Sequence, residues 1–199
     1  MMRPSLFPNL LSSVNQNISR LYTIGKLFEV GPIFEGINED EQKMIASGII
    51  YGSPEKVSWI NKTRLVDVFD VKSDVFYVLD QLNVAVKNLQ HETFNNSVYH
   101  PGKSAQLRLG KNILANFGEI NPILLKKYDI KITVCGFEIF LDELDQFQIK
   151  KTSTKKGYDN NPLQIVERDF AFLFPLNVNA VELIKSIRKI DKQIIKDVI

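Results

Sequence analysis

Residues 27–35 read L-F-E-V-G-P-I-F-E. Lys26–Val30 is apolar enough for a strand, and Gly31-Pro32 is expected to interrupt it. Ile33-Phe34 follows as a second short apolar piece, and the stretch ends on an acid, Glu35. A polar, acidic connection over Asn38–Gln42 leads into Lys43–Tyr51, which is apolar and β-branched and reads as a buried strand. Gly48 within it allows another chain segment to approach closely.

Working outward, Leu6, Leu10, Leu11, Val14, Ile18 and Leu21 recur at helical spacing, with Ser5 placed to cap and Pro8 in the first turn. Gly52–Thr63 is a loop carrying Trp59. Leu65–Val71 alternates like a strand, and Ser73 is placed to cap a following helix that holds Val75, Phe76, Val78, Leu79 and Leu82. Val84–Leu89 reads as a strand. Ala105–Leu109 and Ile113–Gly118 form a hairpin about Gly110-Lys111-Asn112. Asn121-Pro122 starts a helix that ends near Tyr128, and Ile132–Leu141 is a long apolar strand. The composition then turns polar and lysine-rich over Asp142–Asn161. Beyond it come a strand at Val166–Phe174, a helix to Ile190 and the start of another strand at Gln193–Ile199. These readings give an α+β fold: an antiparallel sheet with flanking helices over residues 1–148, a linker at 149–162, and a truncated βαβ unit over 163–199.

Composition excludes several classes. Hydrophobic residues are 44% and charged residues 24%, as in a soluble globular domain. A net charge of +2 gives no global field that would by itself mark a nucleic-acid binder. A single cysteine, Cys135, excludes an internal disulfide framework and a multi-cysteine zinc site, and its apolar setting makes it a small buried hydrophobe. No run approaches the roughly 18 apolar residues of a membrane span, and the N-terminus lacks a signal-peptide pattern. A reducing cytoplasm is the simplest compartment.

Three groups of residues invite a chemical reading. Gly102-Lys103-Ser104 has the ending of a phosphate-binding loop. However, Ser97 stands where that motif needs another glycine, Pro101 removes a backbone donor, and Ala105–Leu109 alternates like a strand. His91 and His100 lack a partner at metal-ligand spacing. Asp67, Asp70 and Asp74 could gather a magnesium ion, but Asp74 is better read as an acid at a helix N-terminus. No catalytic, cofactor-binding or metal residue is therefore assigned. Lys185, Arg188, Lys189 and Lys192 fall at i, i+3, i+4 and i+7 of the last helix, opposite Val181, Ile184, Ile187 and Ile190. That basic stripe could follow an RNA backbone or simply be solvated.

Several segments, taken in order, resemble one family. Arg3–Leu11 (RPSLFPNLL), Leu27–Phe34 (LFEVGPIF), Tyr99–Ala105 (YHPGKSA) with Phe117–Pro122 (FGEINP), and Gln164–Phe172 (QIVERDFAF) are similar to the C-terminal part of bacterial phenylalanyl-tRNA synthetase β subunits. One departure is Asn121, which replaces a histidine and keeps a helix cap. The resemblance implies a class II synthetase-like antiparallel sheet followed by the opening half of a ferredoxin-fold anticodon-binding domain. It also implies an α-subunit partner in an (αβ)₂ assembly, tRNA as a further partner, and ATP and Mg²⁺ used by the complex and not by this chain.

The same resemblance turns Glu35 into evidence. Class II enzymes place an arginine after Gly-Pro-x-Phe to face the α-phosphate of ATP, and a second one in the motif 3 strand–helix. That second region maps to Cys135–Leu144 (CGFEIFLDEL), which has Glu138, Asp142 and Glu143 and no arginine. A unit pair at 4 Å is worth about 4 kcal/mol at intermediate dielectric, so exchanging attraction for repulsion at two places removes useful nucleotide affinity. Two competing readings stand beside this scaffold: a free-standing nucleotide-binding protein using Gly102-Lys103-Ser104, and a non-functional remnant of a split gene.

Overall fold

The computed structural model describes residues 2–36, 38, 41–54, 59–60, 64–144, 147, 164–175, 178, 180–191 and 194–198. The expected linker at 149–162 lies outside them. The chain divides into two compact units, residues 1–153 and 154–199.

In the first unit, helix α1 (Phe7–Ser19) is followed by strands β1 (Gly25–Phe34) and β2 (Gln42–Tyr51) and helix α2 (Val68–Gln81). A short β3 (Gln90–Glu92), the hairpin β4 (Tyr99–Leu109) and β5 (Asn112–Ile120), helix α3 (Pro122–Lys127) and β6 (Val134–Phe140) complete it. The strands form one six-stranded sheet in the order β1-β2-β6-β5-β4-β3, with every pairing antiparallel. The expected α+β class is therefore met.

Helices cover both faces. Phe7, Leu10, Leu11 and Val14 are the buried side of α1; the last three are as read in the sequence, whereas Leu21, read on the same face, lies past the helix and is 86% exposed. They pack with Ile49, Tyr51, Tyr99, Ile120 and Val134. On the opposite face Val71, Val75 and Leu79 of α2 meet Ile50, Phe117, Cys135, Phe137 and Ile139. Central β6 is buried on both sides, which explains why it is apolar except at Glu138. Burying one such side chain fully contributes about 1.5–3 kcal/mol. Gly48 makes room for a ring, since a Cβ there would fall within contact distance of Phe137 on the neighbouring strand. Gly110 has φ +64° and begins the two-residue loop between Leu109 and Asn112, a conformation that favours glycine.

Several expectations need correction. Gly31-Pro32 does not interrupt β1: Pro32 stays in register opposite Met44. It is tolerated because β1 is an edge strand, where a missing N–H need not cost a ladder bond. Leu65–Val71 is not a strand. Asp67 caps α2, accepting from the Phe69 and Asp70 amides, and Asp70 reaches back to the Asp67 amide. Ser73 lies inside that helix, so the spacing of Val71, Val75 and Leu79 overrode a short alternation. Val84–Leu89 makes a single bridge at Val84 and then a 3₁₀ turn (Val86–Asn88), and the strand itself starts at Gln90. The first helix has Leu6 as its cap residue, although Ser5 Oγ still accepts from the Phe7 amide at 3.2 Å. The Asn121 cap is as read, with its side chain accepting from the Ile123 amide at 2.9 Å.

In the second unit, helix α4 (Ala180–Ile190) forms where the sequence places it. The strands expected on either side do not appear among the described residues 164–175 and 194–198. Phe170, Phe172 and Phe174 follow one another at ring separations of 6.2 and 5.7 Å.

Candidate functional site

Directly opposed residues in an antiparallel sheet point to the same face. The register therefore draws one polar row across the whole sheet: Glu29, Ser47, Glu138, Asn116, Gln106 and Glu92. By the two-residue period, Gly31, Gly118 and Gly136 share that face.

The N-terminal segment crosses this face. Arg3 forms an ion pair with Glu29 and donates from Nε to the Pro32 carbonyl at 3.0 Å. Its own carbonyl accepts from the Phe34 amide at 2.9 Å. Ser5 donates to Glu138 at 3.2 Å. Leu6 packs with Ile33, Ile45 and Phe140, and Phe7 meets Tyr99 edge-on with ring centroids 5.7 Å apart. The glycines make the fit possible: a Cβ on Gly136 would lie 2.7 Å from the Phe7 ring, and one on Gly31 would collide with the Arg3 guanidinium. The row's centre is thereby closed from above by the chain itself. This arrangement was missed in the sequence, where Arg3–Phe7 reads only as a helix start. The available signal was Glu138, a lone acid in an apolar strand, which requires buried partners.

The acids of the segment Cys135–Leu144 all have structural partners. Glu138 is 9% exposed, accepts from Ser5 and, at 3.5 Å, from the Tyr99 hydroxyl, and burial pushes its carboxyl above the ordinary range. Burial and the Glu138 charge hold the Tyr99 hydroxyl well above its usual value. Asp142 accepts from the Met44 amide at 2.7 Å, and Glu143 accepts from Asn112 Nδ2 at 2.7 Å. Glu35, just past β1, pairs with Lys43 at 2.7 Å. None of these four side chains contributes a positive charge to the face.

The other sequence candidates disperse. Gly102, Lys103 and Ser104 lie inside β4 and not at a helix start, and Lys103 pairs with Glu119 at 2.7 Å, which raises the lysine's pKa. They line a cleft of about 220 Å³ with Lys72 and His91, below the roughly 300 Å³ at which small-molecule pockets begin. The phosphate-loop reading gains nothing from this geometry. His91 sits against Phe76 and His100 Nδ1 accepts from the Gly102 amide at 3.1 Å, so the two histidines make separate contacts. Asp67 and Asp70 are turned to Arg64, whose hydrogen bond lowers the Asp70 pKa, while Asp74 pairs with Lys26 at 3.0 Å. No cluster of acids, histidines or cysteines able to hold a metal occurs among the described residues. Burial pushes the Cys135 thiol up to about 12, fitting an inert core residue. In the second unit Lys185, Arg188 and Lys189 lie on α4, where Arg188 binds Asp197 at 2.8 Å, and Lys192 lies outside the described residues. No helix among the described residues is long and apolar enough to cross a membrane.

Comparison with known proteins agrees with this arrangement. The family described as the phenylalanyl tRNA synthetase beta chain CLM domain matches residues 1–141. The phenylalanine–tRNA ligase β subunit of Rhodospirillum rubrum is 37% identical over 198 residues, 100% of this chain and 25% of that one. That of Paramagnetospirillum magneticum is 38% identical over 197 residues, 99% of this chain and 25% of the relative. The chain thus spans about a quarter of the length of these curated relatives. Among solved structures, the pyrrolysyl-tRNA synthetase of Desulfitobacterium hafniense superposes with a TM-score of 0.53 at 19% identity, covering 71% of this chain and 48% of the other. At that identity the likeness speaks for the fold alone, that of class II synthetases. On the family match and the two relatives together, the chain belongs to the family of phenylalanyl-tRNA synthetase β chains, over the region of their CLM domain.

Proposed function

We propose that the chain serves, within a phenylalanine–tRNA ligase β subunit, as a catalytically silent class II-like domain that supports the catalytic α subunit. One observation supports the reading: Arg3–Phe7 fills one face of the antiparallel sheet, across the polar row of Glu29, Ser47 and Glu138. The arginine on that segment is tied to Glu29 and to the Pro32 carbonyl. The positions where class II chemistry places arginines carry Glu35 and the acids of the segment Cys135–Leu144 instead. ATP and Mg²⁺ then belong to the complex, a cytoplasmic (αβ)₂ assembly, and this chain binds neither. The second unit contributes part of an anticodon-binding domain. Its stripe of Lys185, Arg188, Lys189 and Lys192 touches tRNA phosphates. Nothing in the geometry favours the free-standing nucleotide binder.

Co-expression with a tagged α subunit tests the reading. Retention of this chain through size-exclusion chromatography supports a scaffold. Separation of two well-folded proteins argues for the remnant.

A further inference from the structure

Strand β6 carries one acid in an otherwise apolar run, V-C-G-F-E-I-F. Around the Glu138 carboxyl stand Ser5 from the N-terminal segment, Tyr99 from β4, Ser47 from β2 and Asn116 from β5. Ser47 is 0% exposed and Asn116 9%, and Ser47 Oγ and Asn116 Oδ1 have no hydrogen-bond partner among the described residues. The charged groups nearest along the row are Arg3 with Glu29 on β1 and Arg108 with Glu92 on β4 and β3. Each pair is already closed, so among the described residues no counter-charge faces Glu138. Amide oxygen Oδ1 only accepts, and a protonated Glu138 adds a donor to the row.

We propose that the Ser5–Glu138 contact is a proton-dependent latch: the segment Arg3–Phe7 is seated on the sheet face while Glu138 is protonated, and loosens when it ionises. An ionised carboxylate there has two hydroxyl donors and no cation, and only water can answer the rest of its charge. The sheet blocks one side, so water reaches it by lifting the segment above. Lifting bares Gly31 and Gly136 together with Ile33 and Ile45. The inference holds whether or not that face has any relation to nucleotide.

Burial outweighs the Ser5 and Tyr99 hydrogen bonds, which favour the ionised carboxylate, and raises the Glu138 pKa in the folded chain above the ordinary glutamate value of 4.5. The seating is then complete below about pH 4.5 and is lost as pH rises through the folded-state value. Amide exchange followed by NMR on the full chain reads this directly, because the Phe34 amide is held by the Arg3 carbonyl at 2.9 Å. Its protection factor, corrected for intrinsic exchange, is expected to fall by up to tenfold per pH unit above that point. Core amides of β2 and β6 hold their protection over the same range, and Glu138→Gln flattens the Phe34 profile. A flat profile in the parent, an unchanged slope in Glu138→Gln, or a parallel fall in the core amides overturns the latch. Should Glu138→Gln not fold, the carboxyl ¹³C shift of Glu138 in the parent decides: titration at an ordinary glutamate value refutes the proposal.

Discussion

Gly136→Ala places a methyl group where the N-terminal segment is seated. Its Cβ would lie 2.7 Å from Phe7 Cε1, 3.1 Å from Ile120 Cδ1 and 3.2 Å from the Gly48 carbonyl oxygen. The Gly48 oxygen is backbone in the adjacent strand and Ile120 is fully buried, so Phe7 must give way. Phe7 is 1% exposed and is held edge-on by Tyr99, so its motion opens packing on both sides. Overpacking of this kind costs about 1–3 kcal/mol. The loss of glycine's freedom in the unfolded chain offsets about 0.4–1 kcal/mol of that. The net expectation is a destabilisation of about 1–2 kcal/mol, or a Tm lower by roughly 2–8 °C for a domain of this size. Urea unfolding followed by tryptophan-independent circular dichroism measures it. The double variant Gly136→Ala, Phe7→Leu should recover part of the loss, giving a coupling of at least about 0.5 kcal/mol because the two sites touch. A neutral Gly136→Ala, or strict additivity with Phe7→Leu, would show that Phe7 does not occupy the face.

Other expectations concern separate links in the account. Asp67→Ala removes the cap of α2 and half of its box with Asp70, and should cost about 1 kcal/mol in the same unfolding assay; no change would return Leu65–Val71 to the strand reading. Glu35→Arg alone should leave calorimetric ATP binding undetectable, because Cys135–Leu144 still lacks an arginine. Replacing Lys185, Arg188 and Lys189 together by alanine should weaken tRNA retention by the assembled complex and flatten its salt dependence by up to about three phosphate contacts; an unchanged salt slope would assign the stripe to solvent.

The sequence exposed the parts of this fold governed by local chemistry. Asn121-Pro122 marked α3 to the residue, and Gly110 marked the hairpin, because caps and two-residue loops depend on neighbouring residues alone. Pro32 and the Leu65–Val71 stretch were misread for one reason. Whether a proline breaks a strand depends on where that strand lies in the sheet, and whether V-x-V alternation survives depends on what packs against it. Both are tertiary facts. The strands expected around α4 are a similar case: Phe170, Phe172 and Phe174 alternate in sequence, but no strand forms among the described residues there, since a strand needs a neighbour. At the candidate site, Glu35 and the arginine-free Cys135–Leu144 were legible as single letters. The closure of the face by Arg3–Phe7 was not, since it joins residues more than 130 positions apart through Ser5 and Glu138.

Isothermal titration of the intact chain with ATP and Mg²⁺ bears most directly on the claim that this class II sheet is silent. The account predicts no heat of binding up to millimolar nucleotide, because acids stand where class II enzymes place their phosphate-facing arginines. A saturable micromolar isotherm would contradict it.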